Sequence, residues 1–286
     1  MVSDSPVRAV AGRTALVFDS PHSGTDYPAD FDFVCDAAVL RRAEDTHVEK
    51  LYDFAPGLGV AWIEALFPRS YLDANRGTRE IDVDMLDAPW PGEFESDPAV
   101  LSKVRLGKGL VWKYTDEGVP LYARKLSPAE VQARIDRCWK PYHAQVERAV
   151  AEAHARHGFC IHLNCHSMPA VAGSHATDQP GLVHADFVLG DRDGTTAAPG
   201  LTAALAQQLR ERGYGVAINH PYKGVELVRR YGRPAEHRHS IQVEINRKLY
   251  MDEATLELHP GSTRLRQDLL ALTQWLLGVD PRRSFG

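Results

Sequence analysis

The feature that most restricts the fold of this chain is a repeated alternation of two periods. Apolar runs of strand length, "TALVFDS" (14–20), "VAWIEAL" (60–66), "GFCIHLNCHSMP" (158–169), "ADFVLGD" (185–191), "YGVAIN" (214–219) and "SIQVEIN" (240–246), are separated by segments with helical spacing. Strands this continuously apolar are buried on both faces, which calls for helices above and below a largely parallel sheet. "RSYLDAN" (69–75) reads as one more short strand. Residues 36–55 read as a helix that stops at Pro56-Gly57, with Val48, Leu51, Tyr52 and Ala55 at i, i+3, i+4 and i+7. Ser127, Pro128 and Glu130 form a capping box that opens a helix running to about His157, kinked at Pro141 and ended by Gly158. Residues 200–213 and 261–278 read as two further helices. The expectation is an α/β fold: a single domain over residues 1–286 with a mostly parallel, mixed central sheet flanked by helices on both faces. Residues 87–120 are rich in Pro, Gly and Asp and read as an irregular lid segment. "HPYKGVELVRRYGRP" (220–234) reads as a glycine- and arginine-rich loop.

Composition narrows the partners. The formal net charge is −5 with no long block of Lys or Arg, so a nucleic-acid groove is not expected. No apolar run is long enough to span a bilayer, and the first residues lack a basic start followed by an apolar stretch. Cys35, Cys138, Cys160 and Cys165 show no CxxC spacing, which suits reduced thiols. A cytoplasmic protein acting on a small molecule is expected; the oligomeric state is left open.

In sheets of this kind ligands bind beyond the carboxyl ends of the strands. His166 ends the 158–169 strand, and Asn164 shares its face and could orient its ring. His22 ends another strand inside Pro-His-Ser-Gly. Two histidines at strand ends need one carboxylate to complete a zinc set of three protein ligands and a water. Asp45 and His47 compete for that place. Helical spacing with Ala43, Leu51 and Phe54 packs His47 against the core, so Asp45, at the start of its helix, is the candidate. Glu244 lies between apolar Val243 and Ile245, on one face with Gln242 and Asn246, where a partly buried carboxyl could act as the base. Cys165 alternates to the opposite face and reads as packing. Asn75, Arg76 and Arg79 follow the "RSYLDAN" segment, and Lys223, Arg229, Arg230 and Arg233 sit on the 220–234 loop. Arg forks of this sort bind carboxylates.

Taken together, PHSGTDYP, EDTHVEKLYDF, DANRGTREID, KPYH, NCHSMP, PYKG with RRYGRP, and QVEINRKLYMD resemble the N-formylglutamate amidohydrolase family, from about Val17 to Asp252. That family is similar in core to zinc carboxypeptidases and aspartoacylase-like deacylases, which implies a phosphorylase/hydrolase-like (zinc-peptidase-like) fold. The resemblance implies His22, Asp45 and His166 as metal ligands and Glu244 as the catalytic glutamate. It implies Asn75-Arg76, with Arg79, as the anchor of a substrate carboxylate, and Lys223 or Arg229 as a clamp on a distal acid. One variant of the family has Asp-Cys-His where this chain has Asn164-Cys165-His166. The implied activity is metal-dependent hydrolysis of a small N-acyl amino acid, such as N-formyl-L-glutamate to formate and glutamate. Zn²⁺ is the expected ion, and Fe²⁺ or Mn²⁺ suits the same donors. A carboxypeptidase or cell-wall-peptide amidase is the alternative enzyme, and a non-catalytic small-acid binding protein the alternative of another class.

Overall fold

Among the described residues, seven strands build the central sheet: β1 (Val7–Val10), β2 (Leu16–Ser20), β3 (Ala61–Ala65), β4 (Cys160–Met168), β5 (Phe187–Gly190), β6 (Val216–Ile218) and β7 (Arg238–Asn246). Their spatial order is β1-β3-β2-β4-β7-β5-β6. The middle strands β3, β2, β4 and β7 run parallel, while β1 is antiparallel to β3 and β5 is antiparallel to β7. The computed structural model describes residues 5–173 and 180–285 of the chain.

The sheet is mixed and mostly parallel at its centre, as the continuous apolar runs require. All nine residues of β4 are buried, because strands flank both its edges and helices cover both its faces. Ile161, Leu163 and Cys165 join the core on one side, with Leu201, Leu205, Leu265 and Leu269. Those leucines lie on α6 (Pro199–Glu211) and α8 (Gly261–Leu277), the helices being numbered in chain order. On the other side α4 (Pro128–Arg134) and α5 (Lys140–His157) pack Val131, Tyr142, Val146 and Val150 against Val17, Ala61 and Ile63. Polar residues His162, Asn164 and His166 alternate onto this second side, toward the end of the strand.

Four local expectations change. In place of one helix over 36–55 there are two short ones, α1 (Ala37–Arg41) and α2 (Val48–Leu51). The carbonyls of Arg42 and Glu44 accept from the Arg247 guanidinium at 2.9 and 2.7 Å instead of from helix amides, and Asp45 lies in the break. "RSYLDAN" is a series of turns, with Tyr71 and Leu72 donating back to Pro68 O and Asp73 donating to Leu110 O. Residues 87–120 contain a helix, α3 (Pro98–Arg105), capped by the Asp97 carboxylate. The 220–234 loop contains α7 (Glu226–Tyr231).

Other punctuation behaves as the residue types dictate. Ser127 and Glu130 make the reciprocal capping box. Pro141 follows a π-helical turn over Ile135–Trp139, so its missing N–H falls where the helix changes pitch. Gly158 ends α5 at φ 76°, a left-handed conformation that disfavours any Cβ. Among the described residues no helix is long and apolar enough to cross a membrane.

Candidate active site

The carboxyl ends of β2, β4 and β7 open into one cavity of about 450 Å³ lined by His22, Asp45, His166 and Glu244, together with Arg69 and Arg76. His22 follows β2 in a turn that Gly24 allows to pass close to β3: a Cβ there would lie 2.3 Å from the Leu66 carbonyl carbon. The Asp45 amide donates to His22 O at 3.0 Å, tying the break between α1 and α2 to that turn. Parallel pairing of β4 with β7 sets His166 directly beside Glu244 and Asn164 beside Gln242.

Hydrogen bonds define the two imidazoles. His22 Nε2 lies 2.7 Å from Asp73 Oδ1, a carboxylate that can only accept, so this nitrogen carries the proton. His22 Nδ1 is buried, makes no hydrogen bond, and lies 3.4 Å from Asp45 Oδ2. His166 Nε2 lies 2.7 Å from Asn164 Oδ1, and its Nδ1 lies 2.9 Å from the same Asp45 Oδ2. Potential donor atoms of His22, Asp45 and His166 all lie within 4.8 Å of one another. Two imidazole nitrogens and a carboxylate converging on one point, with the far nitrogens engaged elsewhere, are the donor set of a catalytic zinc or iron site. The unpartnered His22 Nδ1 is the strongest sign that these residues fit a cation.

Charge is distributed accordingly. Burial works against ionisation of Asp45. Hydrogen bonds from His166 and His22 and the Arg69 charge more than offset it and hold the carboxyl well below its ordinary range. Asp73 is likewise kept ionised against burial by His22, Arg76 and Arg69. Burial lowers the proton affinity of His166, partly countered by Asp45. Glu244 goes the other way: burial first, then the charge of Asp45, pushes its carboxyl up to about 8. Its Oε1 accepts from Gln242 Nε2 at 2.8 Å. Two nearby carboxyls with opposed environments are the arrangement that divides acid–base work.

Of the residues expected to hold substrate, Asn75 and Arg76 line the cavity. Asn75 is also structural, since its Oδ1 accepts from Leu227 N at 2.9 Å. Arg79, Lys223 and Arg229 do not line it. Arg79 is exposed against Glu93 and Phe94 O, Lys223 pairs with Asp193 at 2.7 Å, and Arg229 pairs with Glu226 one turn earlier on α7. Each finds a local acidic partner, so the expectation that they reach a substrate is corrected. His47 is turned away at the start of α2, its Nε2 bonded to Leu256 O and its Nδ1 to Lys50, rather than packed on a helix face.

Three contributors escaped the sequence reading. Asp73 orients His22 and sits two residues before Asn75, inside a motif already singled out. Arg69 lies 3.5 Å from Asp45, donates to Asp73 at 3.2 Å, and has its guanidinium 5.0 Å from the Trp112 ring centre. Arg247 reaches Ser167 Oγ at 3.2 Å and Asp45 at 3.5 Å. Among the described residues of 87–120, Lys103, Lys108 and Trp112 line the cavity.

A mixed α/β sheet carrying such a cavity at the ends of its parallel strands places the chain among the α/β amidohydrolases. The chain belongs to the N-formylglutamate amidohydrolase family, whose sequence profile matches residues 14–251. It is 31% identical over 250 residues to an N-formylglutamate deformylase of Pseudomonas aeruginosa, covering 85% of this chain and 84% of that one. It is 29% identical over 277 residues to an N-formylglutamate deformylase of Pseudomonas putida, covering 92% and 94%. The crystal structure of an N-formylglutamate amidohydrolase from Ralstonia eutropha JMP134 superposes with a TM-score of 0.89 at 46% identity, covering 96% of this chain and 98% of that one.

Proposed function

We propose that the protein is a zinc-dependent amidohydrolase of the cytoplasm that converts N-formyl-L-glutamate and water to formate and glutamate. The observation that carries this reading is the convergence of His22 Nδ1, His166 Nδ1 and Asp45 beside a buried, proton-holding Glu244. The Pseudomonas deformylases and the Ralstonia amidohydrolase point to the same substrate.

A zinc ion on His22, Asp45 and His166 would supply Lewis-acid polarisation of the acyl carbonyl and of the attacking water. Glu244 takes the proton of that water and returns it to the leaving nitrogen, so the formyl carbon gains oxygen as the C–N bond breaks. Asp73 and Asn164 hold the two imidazoles by their Nε2 atoms. Arg76, from a turn beside the cavity, anchors the substrate carboxylate, and Arg69 adds positive charge on the same wall. Residues 87–120 act as a lid, bringing Trp112 over the cavity and limiting water.

A hydrolysis screen of N-formyl, N-acetyl and N-succinyl amino acids, with and without added Zn²⁺, tests the reading. Turnover of N-formylglutamate that a chelator removes and Zn²⁺ restores is expected. Failure to hydrolyse any N-acyl amino acid after zinc addition would refute it, as would preferential cleavage of short peptides.

A further inference from the structure

The KPYH motif does not reach the cavity, yet its Tyr142 touches the most enclosed charge beneath it. Asp19, on β2, is fully buried and accepts hydrogen bonds from three side chains. Tyr142 Oη donates to Oδ2 at 2.6 Å; His162 Nε2 and Asn164 Nδ2 donate to Oδ1 at 2.9 and 3.0 Å. His162 Nδ1 then accepts from Ser240 Oγ at 2.7 Å. A carboxylate has only acceptors, so whatever faces it must donate. That fixes the otherwise two-fold amide of Asn164 with its NH₂ on Asp19 and its oxygen on His166.

We propose that Asp19 is a positioning residue that sets the tautomer of His166 through Asn164. With Asn164 Oδ1 held 2.7 Å from His166 Nε2, that nitrogen must carry a proton, and the Nδ1 lone pair is left on the Asp45 side. Asp45 alone would favour the opposite tautomer, with Nδ1–H donating to it, and Asn75 Nδ2, 3.2 Å from His166 Nε2, could then donate to the bare nitrogen. The Asp19 charge decides between the two. The same contact explains the amide in Asn-Cys-His: an aspartate at 164 would set two carboxylates 3.0 Å apart in a site that excludes water. The proposal rests on His166 being a metal ligand only for its consequence, since the tautomer exists without an ion.

The test is Asp19→Asn, read in metal-free protein by ¹⁵N NMR of the His166 ring and separately by zinc affinity in chelator competition. Wild type should show a protonated Nε2. In Asp19→Asn the Asn164 amide is released, Nε2 loses its proton in a measurable fraction of molecules, and zinc affinity falls about 10- to 100-fold, the usual effect of losing a group that orients a ligand. The double exchange Asp19→Asn with Asn164→Asp offers a control. In it the amide introduced at position 19 donates to the carboxylate introduced at position 164, which still accepts from His166 Nε2, while His162 changes tautomer against Ser240. It should fold and recover wild-type zinc affinity even where Asp19→Asn does not fold. An unchanged His166 ring state in Asp19→Asn, or an exchange variant no better than the single one, overturns the proposal. A ring shift in a wild-type background that binds no zinc would instead sink the metal reading and leave the Asp19 assignment standing.

Discussion

Replacing Glu244 by Gln separates the chemistry of this site from its architecture. Glu244→Gln is isosteric, and the new amide oxygen can still accept from Gln242 Nε2 as Oε1 does at 2.8 Å. His22, Asp45 and His166 are untouched, so bound zinc should remain stoichiometric while turnover of N-formylglutamate falls about 10²- to 10⁴-fold. That range corresponds to about 3–5 kcal/mol of barrier, at about 1.36 kcal/mol per decade. The same variant makes a second, independent prediction. The Glu244 carboxyl is pushed from an ordinary 4.5 to about 8 by burial and by Asp45. A carboxyl with a raised folded-state pKa stabilises the fold fully below its unfolded value, and that stability drains away as pH rises toward the folded value. Between pH 5 and pH 7, metal-free wild type should therefore lose on the order of 2 kcal/mol relative to Glu244→Gln, at about 1.36 kcal/mol per pH unit. Urea denaturation of both proteins at the two pH values measures this. Retained turnover with zinc bound would refute the base, and a pH-independent stability difference would refute the buried carboxyl.

The other expectations are briefer. Asp73→Asn weakens the acceptor for His22 Nε2 and should lower zinc affinity about 10- to 100-fold in chelator competition, with the helical circular dichroism signal intact. Arg76→Ala should raise KM for N-formylglutamate at least tenfold by removing the anchor for its carboxylate, about the 1.4 kcal/mol of one charged hydrogen bond; an unchanged KM would remove it from the substrate site. Arg79→Ala, Lys223→Ala and Arg229→Ala should each change kcat/KM less than about threefold, because loss of an exposed ion pair is worth under about 1 kcal/mol. A larger loss would show that these side chains leave their acidic partners when substrate binds.

How much of this was legible beforehand depended on the range of the interaction. Strand ends were legible because apolar runs that stop at His22, His166 and Glu244 report burial directly, and burial is a property of the segment itself. The side of β4 taken by Cys165 followed from strand alternation alone. By contrast, the helix over 36–55 is interrupted by Arg247, some two hundred residues away, whose guanidinium takes carbonyls that a helix would use. Arg79, Lys223 and Arg229 were misplaced because residue type states what a guanidinium or ammonium can bind and nothing about where the backbone aims it.

By itself the sequence determined an α/β sheet, two histidines at strand ends, a carboxylate near each, and the family to which the motifs belong. Only the tertiary structure decided which atoms face one another. Asp73 and Asp19 read as ordinary acids in a turn and a strand until the fold brings one within 2.7 Å of His22 and the other under Asn164. Periodicity records how each segment meets water, whereas the orientation of an imidazole depends on acceptors from other segments, and those meet only after the sheet has closed.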